Sequence, residues 1–243
     1  MWAASLAIIA LGAAAWGSAQ EFAGKERAEG SFHFVRLRFN LPDNWAGRRF
    51  GPWSHDYPKA EQNLLKVLSE QTSIETSERS HLILDMEDPE VMKYPVLYVS
   101  EPGYWSCTEA EVTNLRQYLL GGGFIIFDDF RDNPDEWQAF SGCMQEVMPE
   151  YTYRALDVSH PIFHCFYDIE TLSMTQPYSV PGPPIFYGLT DDKGRLMSIA
   201  NFNNDLGDYW EWSDQSIVPP ALSKEAYKFG VNYILYALDD CSQ

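Results

Sequence analysis

Two adjacent carboxylates, Asp128 and Asp129, close the run GGGFIIFDDF. Carboxylates that close raise one another's pKa when buried, which suits acid-base work, or else they attract a cation. Neighbours on an extended turn point in different directions, so one can face a cleft while the other caps the following helix or binds Arg131. A turn and capping role for both is the alternative. A second polar group lies in SHPIFHCFYD, where His160 and His164 stand four apart. On a helix both imidazoles would share a face as metal ligands, but Pro161 allows a helix there only with His160 as its cap. Without the glutamate of an HExxH motif, a structural role is expected for at least one of them.

The segment NFNNDLGDYWEWSD supplies oxygen donors, among them Asp205 and Asp208, interleaved with Tyr209, Trp210 and Trp212. Such a mixture suits either a hard cation or a sugar ring stacked on aromatic faces; packing of the tryptophans into the core is the plainer expectation. A similar mixture, NWAGRRFGPWSHDYP, contributes Arg49 and His55, with Asp56 read as an ordinary helix cap. The candidate catalytic residues are Asp128, Asp129 and His160. A divalent metal is the cofactor these groups would suit.

Alternating strand and helix signals position them. Apolar runs at Phe32 to Phe39, His81 to Asp85, Pro95 to Ser100 and Phe124 to Phe127 predict strands, and Tyr57 to Glu70 carries a helical stripe. Thr108 with Glu111 forms a capping box, and Gly121 is expected to end that helix in a left-handed conformation. Asn133 and Pro134 start the next helix, with Glu136 completing a second box. The unbroken apolar run before Asp128 is the mark of a central parallel strand, so the two aspartates belong at its carboxyl edge, where open α/β sheets build their sites. Pro184 to Leu189 and Arg195 to Phe202 flank a turn and predict an antiparallel hairpin. Ser223 is expected to cap the last helix, and Ser173 to Pro184 to form a long surface loop.

The chain has 243 residues, 45% of them hydrophobic, which suffices for one large core, so residues 20–243 are expected to form a single domain. A formal charge of −18 argues against nucleic acid and anionic lipid as partners and leaves neutral small molecules, carbohydrate or protein. Residues 1–19 lack charged side chains and end in small residues, as in a secretory signal cut near Ala19, although a basic start is missing; a mis-called start inside a longer leader, or an uncleaved anchor, is the alternative. Export would place the mature chain in the periplasm or outside the cell. Cys107, Cys143, Cys165 and Cys241 then allow three disulfide connectivities, or remain buried thiols.

The run YPVLYVSEPGYWSCTEAEVTNLRQYLLGGGFIIFDDF resembles the central module of the class I glutamine amidotransferase-like fold, a flavodoxin-like three-layer α/β sheet. FVRLRFN, SEPGYW, GGGFIIFDDF, HPIFHCFY and NNDLGDYWEW together resemble an uncharacterised bacterial family, domain of unknown function 4159. The first resemblance implies a nucleophilic cysteine at the elbow after the central strand. Asp128 stands there instead, so amidotransferase chemistry is not expected. The family motifs bring Glu101 and Tyr104 into the ligand-binding set with Arg49, His55, Asp128, Asp129, His164, Asp205, Asp208, Tyr209, Trp210 and Trp212. Two functions follow as expectations: a binding or scaffold module for carbohydrate or protein, or a hydrolase using Asp and His in acid-base or metal-assisted chemistry.

Overall fold

The computed structural model describes residues 31–45, 50–131, 133–173, 182–215 and 217–238. The leader, Arg49, Cys241 and most of the Pro-rich loop lie outside the described residues. Seven strands form one mixed sheet: β1 (Phe34–Arg38), β2 (His81–Asp85), β3 (Val96–Ser100), β4 (Phe124–Asp128), β5 (Arg154–Ala155), β6 (Ile185–Thr190) and β7 (Leu196–Phe202). Their order is β2-β1-β3-β4-β7-β6-β5. The first five are mutually parallel, while β6 and β5 add antiparallel. The fold is therefore α/β with an antiparallel extension, and the hairpin forms as its turn chemistry predicts.

Alternation along each strand divides two cores. Val96 and Tyr98 of β3 with Phe124 and Ile126 of β4 face one layer, and Leu97, Val99, Ile125 and Phe127 face the other. The first layer holds α1 (Lys59–Gln71), α4 (Leu206–Glu211) and α5 (Pro220–Ala237); the second holds α2 (Glu109–Leu120) and α3 (Pro134–Val147). All residues of β3 and β4 are buried, as central strands covered on both faces must be. No helix among the described residues is long and apolar enough to cross a membrane.

Several local expectations need correction. Thr108 and Glu111 do close a capping box, but Gly121 is right-handed at φ −73°, and it is Gly122, at φ 105°, that turns the chain. Asn133 caps α3 through the Asp135 amide; its own backbone N–H is taken by the Arg131 carbonyl, so Glu136 accepts from the Asn133 side chain and the second box does not close. Pro219, not Ser223, precedes α5, because two prolines fix the backbone for a helix start one turn earlier. Cys107 and Cys143 form a disulfide tying the loop before α2 to α3, and Cys165 is also disulfide-bonded.

A carboxylate-lined candidate cation site at the carboxyl edge of the sheet

Arg36, Tyr98, Asp128 and Asn201 are polar residues at core positions on the same face of four neighbouring strands. Register places Arg36 beside Tyr98, and the pairing of Phe127 with Ala200 puts Asp128 beside Asn201. Each is fully or almost fully buried and finds partners in the row. Asp128 accepts from Asn201 Nδ2 at 2.8 Å, from Tyr98 Oη at 3.0 Å and from the Gly207 amide at 2.9 Å, while Tyr233 donates to Asn201 Oδ1 at 3.0 Å. Burial raises the Asp128 pKa to about 6. Arg36 pairs with Glu61, donates to the carbonyls of Trp53 and His55 at 3.0 and 2.8 Å, and lies over the Tyr98 ring. The row thus clamps two connections from below: the one after β1, carrying His55 and Asp56, and the one after β7, carrying Asp205 and Asp208.

Gly207 shows how closely these connections meet. A Cβ there would come within 2.3 Å of Asp56 Oδ2 and 2.9 Å of the Tyr98 hydroxyl, so the turn into α4 passes only as glycine. The loops after β4 and β7 are joined by a bridge in which the Phe130 amide donates to the Asn204 carbonyl at 3.1 Å.

Above the row the backbone is strained at four places. Asp56, Glu101, Asp129 and Asn203 have φ of 66°, 48°, 60° and 56°, and among the described residues these are the non-glycine residues in that region. Three of them immediately follow β3, β4 and β7, and the fourth lies in the β1–α1 connection. Each costs of order 1–3 kcal/mol, and such residues gather where function requires their side chains.

Asp56, Glu101 and Asp129 take part in a convergence of possible ligand groups, while the Asn203 side chain donates to the carbonyls of Gly182 and Pro183. His55, Asp56, Asp205 and Asp208 bring one ligand atom each within 4.8 Å of one another, and His55, Glu101 and Asp129 do the same. His55 Nδ1 lies 3.2 Å from Asp56 Oδ1 and 3.0 Å from Asp129 Oδ2. Asp129 and then Asp56 raise the imidazole pKa to about 11. Burial raises Asp56 to about 7, burial and Asp129 raise Glu101 to about 7, and Asp205 is driven well above the carboxylate range by burial and then by Asp129 and Asp56. Asp205 caps α4 with one oxygen on the Asp208 amide at 2.8 Å; its Oδ2 and both oxygens of Asp56 accept no hydrogen bond. Trp212 Nε1 donates to Asp208 Oδ1 at 3.1 Å and orients it. Arg131 stands at the rim, 3.8 Å from Glu101.

The chain also matches a family profile described as Domain of unknown function (DUF4159) over residues 33–238. It belongs to the DUF4159 family. No curated protein matches the chain significantly.

In this DUF4159 domain, residues read as candidates from sequence divide into three groups. His55, Glu101, Asp129, Asp205 and Asp208 meet in the cluster, with Tyr104 at its rim near Glu101. Asp128 lies beneath it as a buried acceptor, so of the two adjacent aspartates Asp129 faces the cluster and neither caps α3. The rest lie elsewhere. Tyr209 and Trp210 are buried in the core, with Trp210 against Tyr98, and Trp212 serves Asp208. His160 and His164 do not join: His160 caps the short helix Pro161–Phe163 and its ring packs on Tyr236, which touches Phe124 at the amino end of β4. That is the opposite edge of the sheet, a strand length of about 13 Å from Asp128. His164 is bonded to Asp168 and the Val158 carbonyl. Arg49 lies outside the described residues.

Sequence reasoning missed Asp56, Arg36, Tyr98 and Asn201. A charged residue at an inward position of FVRLR was the available signal for the first strand.

The shifted groups set an expected pH dependence. Asp56 and Glu101 have ordinary pKa values of 3.8 and 4.5 and values of about 7 when folded. Between pH 4 and 7 the folded protein therefore holds protons that the unfolded chain has released, and cation-free stability falls as pH rises through that window. His55, raised from 6.5 to about 11, stabilises fully below 6.5 and loses that contribution as pH climbs toward 11. A divalent cation removes the need for those protons. The rise in Tm produced by Mn²⁺ should then grow from pH 4 to pH 7 in scanning calorimetry; a pH-independent rise would contradict the assignment.

Proposed function

We propose that this DUF4159 domain is a divalent-cation-dependent hydrolase whose centre lies at the carboxyl edge of the sheet, on His55, Asp56, Asp205 and Asp208. The observation that carries the reading is the buried Asp205 Oδ2 and the Asp56 carboxylate, held without donors against an imidazole and a further carboxylate. Burying ionised carboxylates without partners costs several kcal/mol each, and a cation offsets that cost directly. Three carboxylates with one imidazole suit an ion such as Mn²⁺. When bound, such an ion lowers the pKa of a coordinated water toward neutrality and polarises an ester or amide oxygen. The protein's own part is to hold the ligands: Arg36 fixes the His55 carbonyl, Asp128 fixes the Gly207 amide, and the half-buried Glu101 and Glu211 stand beside the centre as proton acceptors. Incubation of EDTA-stripped protein with p-nitrophenyl acetate and bis-p-nitrophenyl phosphate should give hydrolysis that returns with Mn²⁺ and is absent from Asp205→Asn. Mn²⁺ binding with no turnover of either ester would leave a cation-binding domain and remove the hydrolase reading.

A second reading, a module binding carbohydrate or a protein partner, is supported by a groove of about 490 Å³ at the ends of β1 and β2. Trp45, the largely buried Trp53 and the Arg38–Asp85 pair line it, and Trp45 packs edge-on against Tyr104. Aromatic faces beside planar hydrogen-bonding groups suit a sugar ring. The buried Tyr209 and Trp210 lend that reading nothing. Export is part of the proposal, with a mature chain beginning near Gln20, and the disulfides support an oxidising compartment.

A further inference from the structure

Between α1 and α5 lies a hollow of about 350 Å³, and none of the residues that line it belongs to the cation cluster. Val67 of α1, Pro220 and the Tyr227 ring of α5, and Tyr167 give it a largely apolar lining. Asn232, completely buried in α5, fixes Tyr167: its Oδ1 accepts from the amides of Phe166 and Tyr167 at 3.1 and 2.8 Å, and its Nδ2 donates to the Tyr167 carbonyl at 2.8 Å. The hollow is thus built before any ligand arrives, and its size falls at the lower end of the roughly 300–1,000 Å³ usual for small-molecule sites.

Ser223 lines the same hollow from the first turn of α5 and is only 3% exposed. The usual acceptor for a helical serine is the carbonyl four residues back. Here that carbonyl belongs to Pro219, which already takes the amides of Leu222 at 2.9 Å and Ser223 at 3.3 Å. The Ser223 hydroxyl is left buried with no hydrogen-bond partner, whereas Ser213 and Tyr227 serve each other at 2.6 Å. Such a donor calls for an acceptor that the protein itself does not supply.

Charge points to the same kind of ligand. In a chain with 35 acidic and 17 basic side chains, the charged residues that line the hollow are Lys224 and Lys228. Neighbouring acids are paired, Glu225 with Lys228 at 2.8 Å and Asp214 with Lys59 at 2.6 Å. Lysine stems cover apolar surface while their ammonium groups stay at the mouth, so the site favours an apolar body with one anionic end. We propose that this hollow binds a small amphipathic carboxylate, its apolar body against Val67, Pro220 and Tyr227 and its carboxylate between the Ser223 hydroxyl and the ammonium groups of Lys224 and Lys228.

Isothermal titration of the full chain with octanoate tests this, with octanol as the uncharged probe of equal chain length. Octanoate should bind saturably at low salt, roughly tenfold more tightly than octanol, and the difference should shrink as salt is raised. Ser223→Ala removes a hydroxyl that has no partner in the free protein, so it should weaken octanoate by roughly tenfold and leave Tm unchanged. Lys224→Glu should weaken octanoate and leave octanol as it was, while Val67→Trp should fill the hollow and abolish both. Lys224 is exposed, so its variant keeps the test open should circular dichroism show that Val67→Trp does not fold. Octanol bound as tightly as octanoate would overturn the choice of an anion. Octanoate binding that survives Lys224→Glu and Val67→Trp would overturn the site, and a wild-type protein that shows no saturable binding of octanoate would overturn the proposal as a whole.

Discussion

Asp128→Ala should lower the stability of the domain by about 3–5 kcal/mol, because three buried donors lose their common acceptor at once. Those donors are the Asn201 amide, the Tyr98 hydroxyl and the backbone N–H of Gly207, all within 3.0 Å of a carboxylate that is completely buried. For a domain of this size the loss corresponds to a fall in Tm of roughly 6–20 °C. Asp128→Asn should recover part of it: its amide oxygen can serve two donors while Asn201 turns over toward Tyr233, whose hydroxyl both gives and accepts. Denaturant unfolding of the three proteins measures the series directly. Equal stability of the wild type and the alanine variant would mean that Asp128 does not hold the loop after β7.

The second large effect has the opposite sign. Asp205→Asn removes a buried negative charge that the cation-free protein must otherwise keep protonated or leave uncompensated, while Oδ1 can still cap α4 on the Asp208 amide. The cation-free variant should therefore be more stable than the wild type at pH 8, by about 1–3 kcal/mol. Its Mn²⁺ affinity should fall by roughly 100-fold or more, since a neutral amide replaces a charged ligand. A gain in stability together with a loss of binding separates a ligand from a residue that merely supports the fold. A variant that is destabilised and binds Mn²⁺ normally would place Asp205 among the structural groups with Asp128.

The two aspartates that end β4 show what sequence could and could not disclose. The glycine-rich turn and unbroken apolar run marked a central strand, and parallel topology then placed Asp128 and Asp129 at the carboxyl edge of the sheet. Which of them faced outward depended on pleat phase and on the positive φ of Asp129, neither of which residue types encode. The capping box of α2 and the hairpin were legible because their chemistry is local. The buried row was not, because Arg36, Tyr98, Asp128 and Asn201 come from four strands that sequence separates widely and only register aligns. His160 and His164 stand at a metal-ligand spacing, yet His160 packs at the opposite edge and His164 on Asp168, and the imidazole that joins the carboxylates comes from the first connection. Asp56 was hidden by its ordinary position before a helix. Its side chain caps nothing and turns inward with φ of 66°.

The claim that the edge of the sheet is a cation centre is tested most directly by an anomalous difference map from crystals of the protein grown with Mn²⁺ and measured above the manganese absorption edge. The account predicts a peak in contact with Asp205 Oδ2, the Asp56 carboxylate, Asp208 and the His55 ring. Crystals that bind Mn²⁺ only on the protein surface, with water or a protein side chain filling the space beside Asp205 Oδ2, would contradict it.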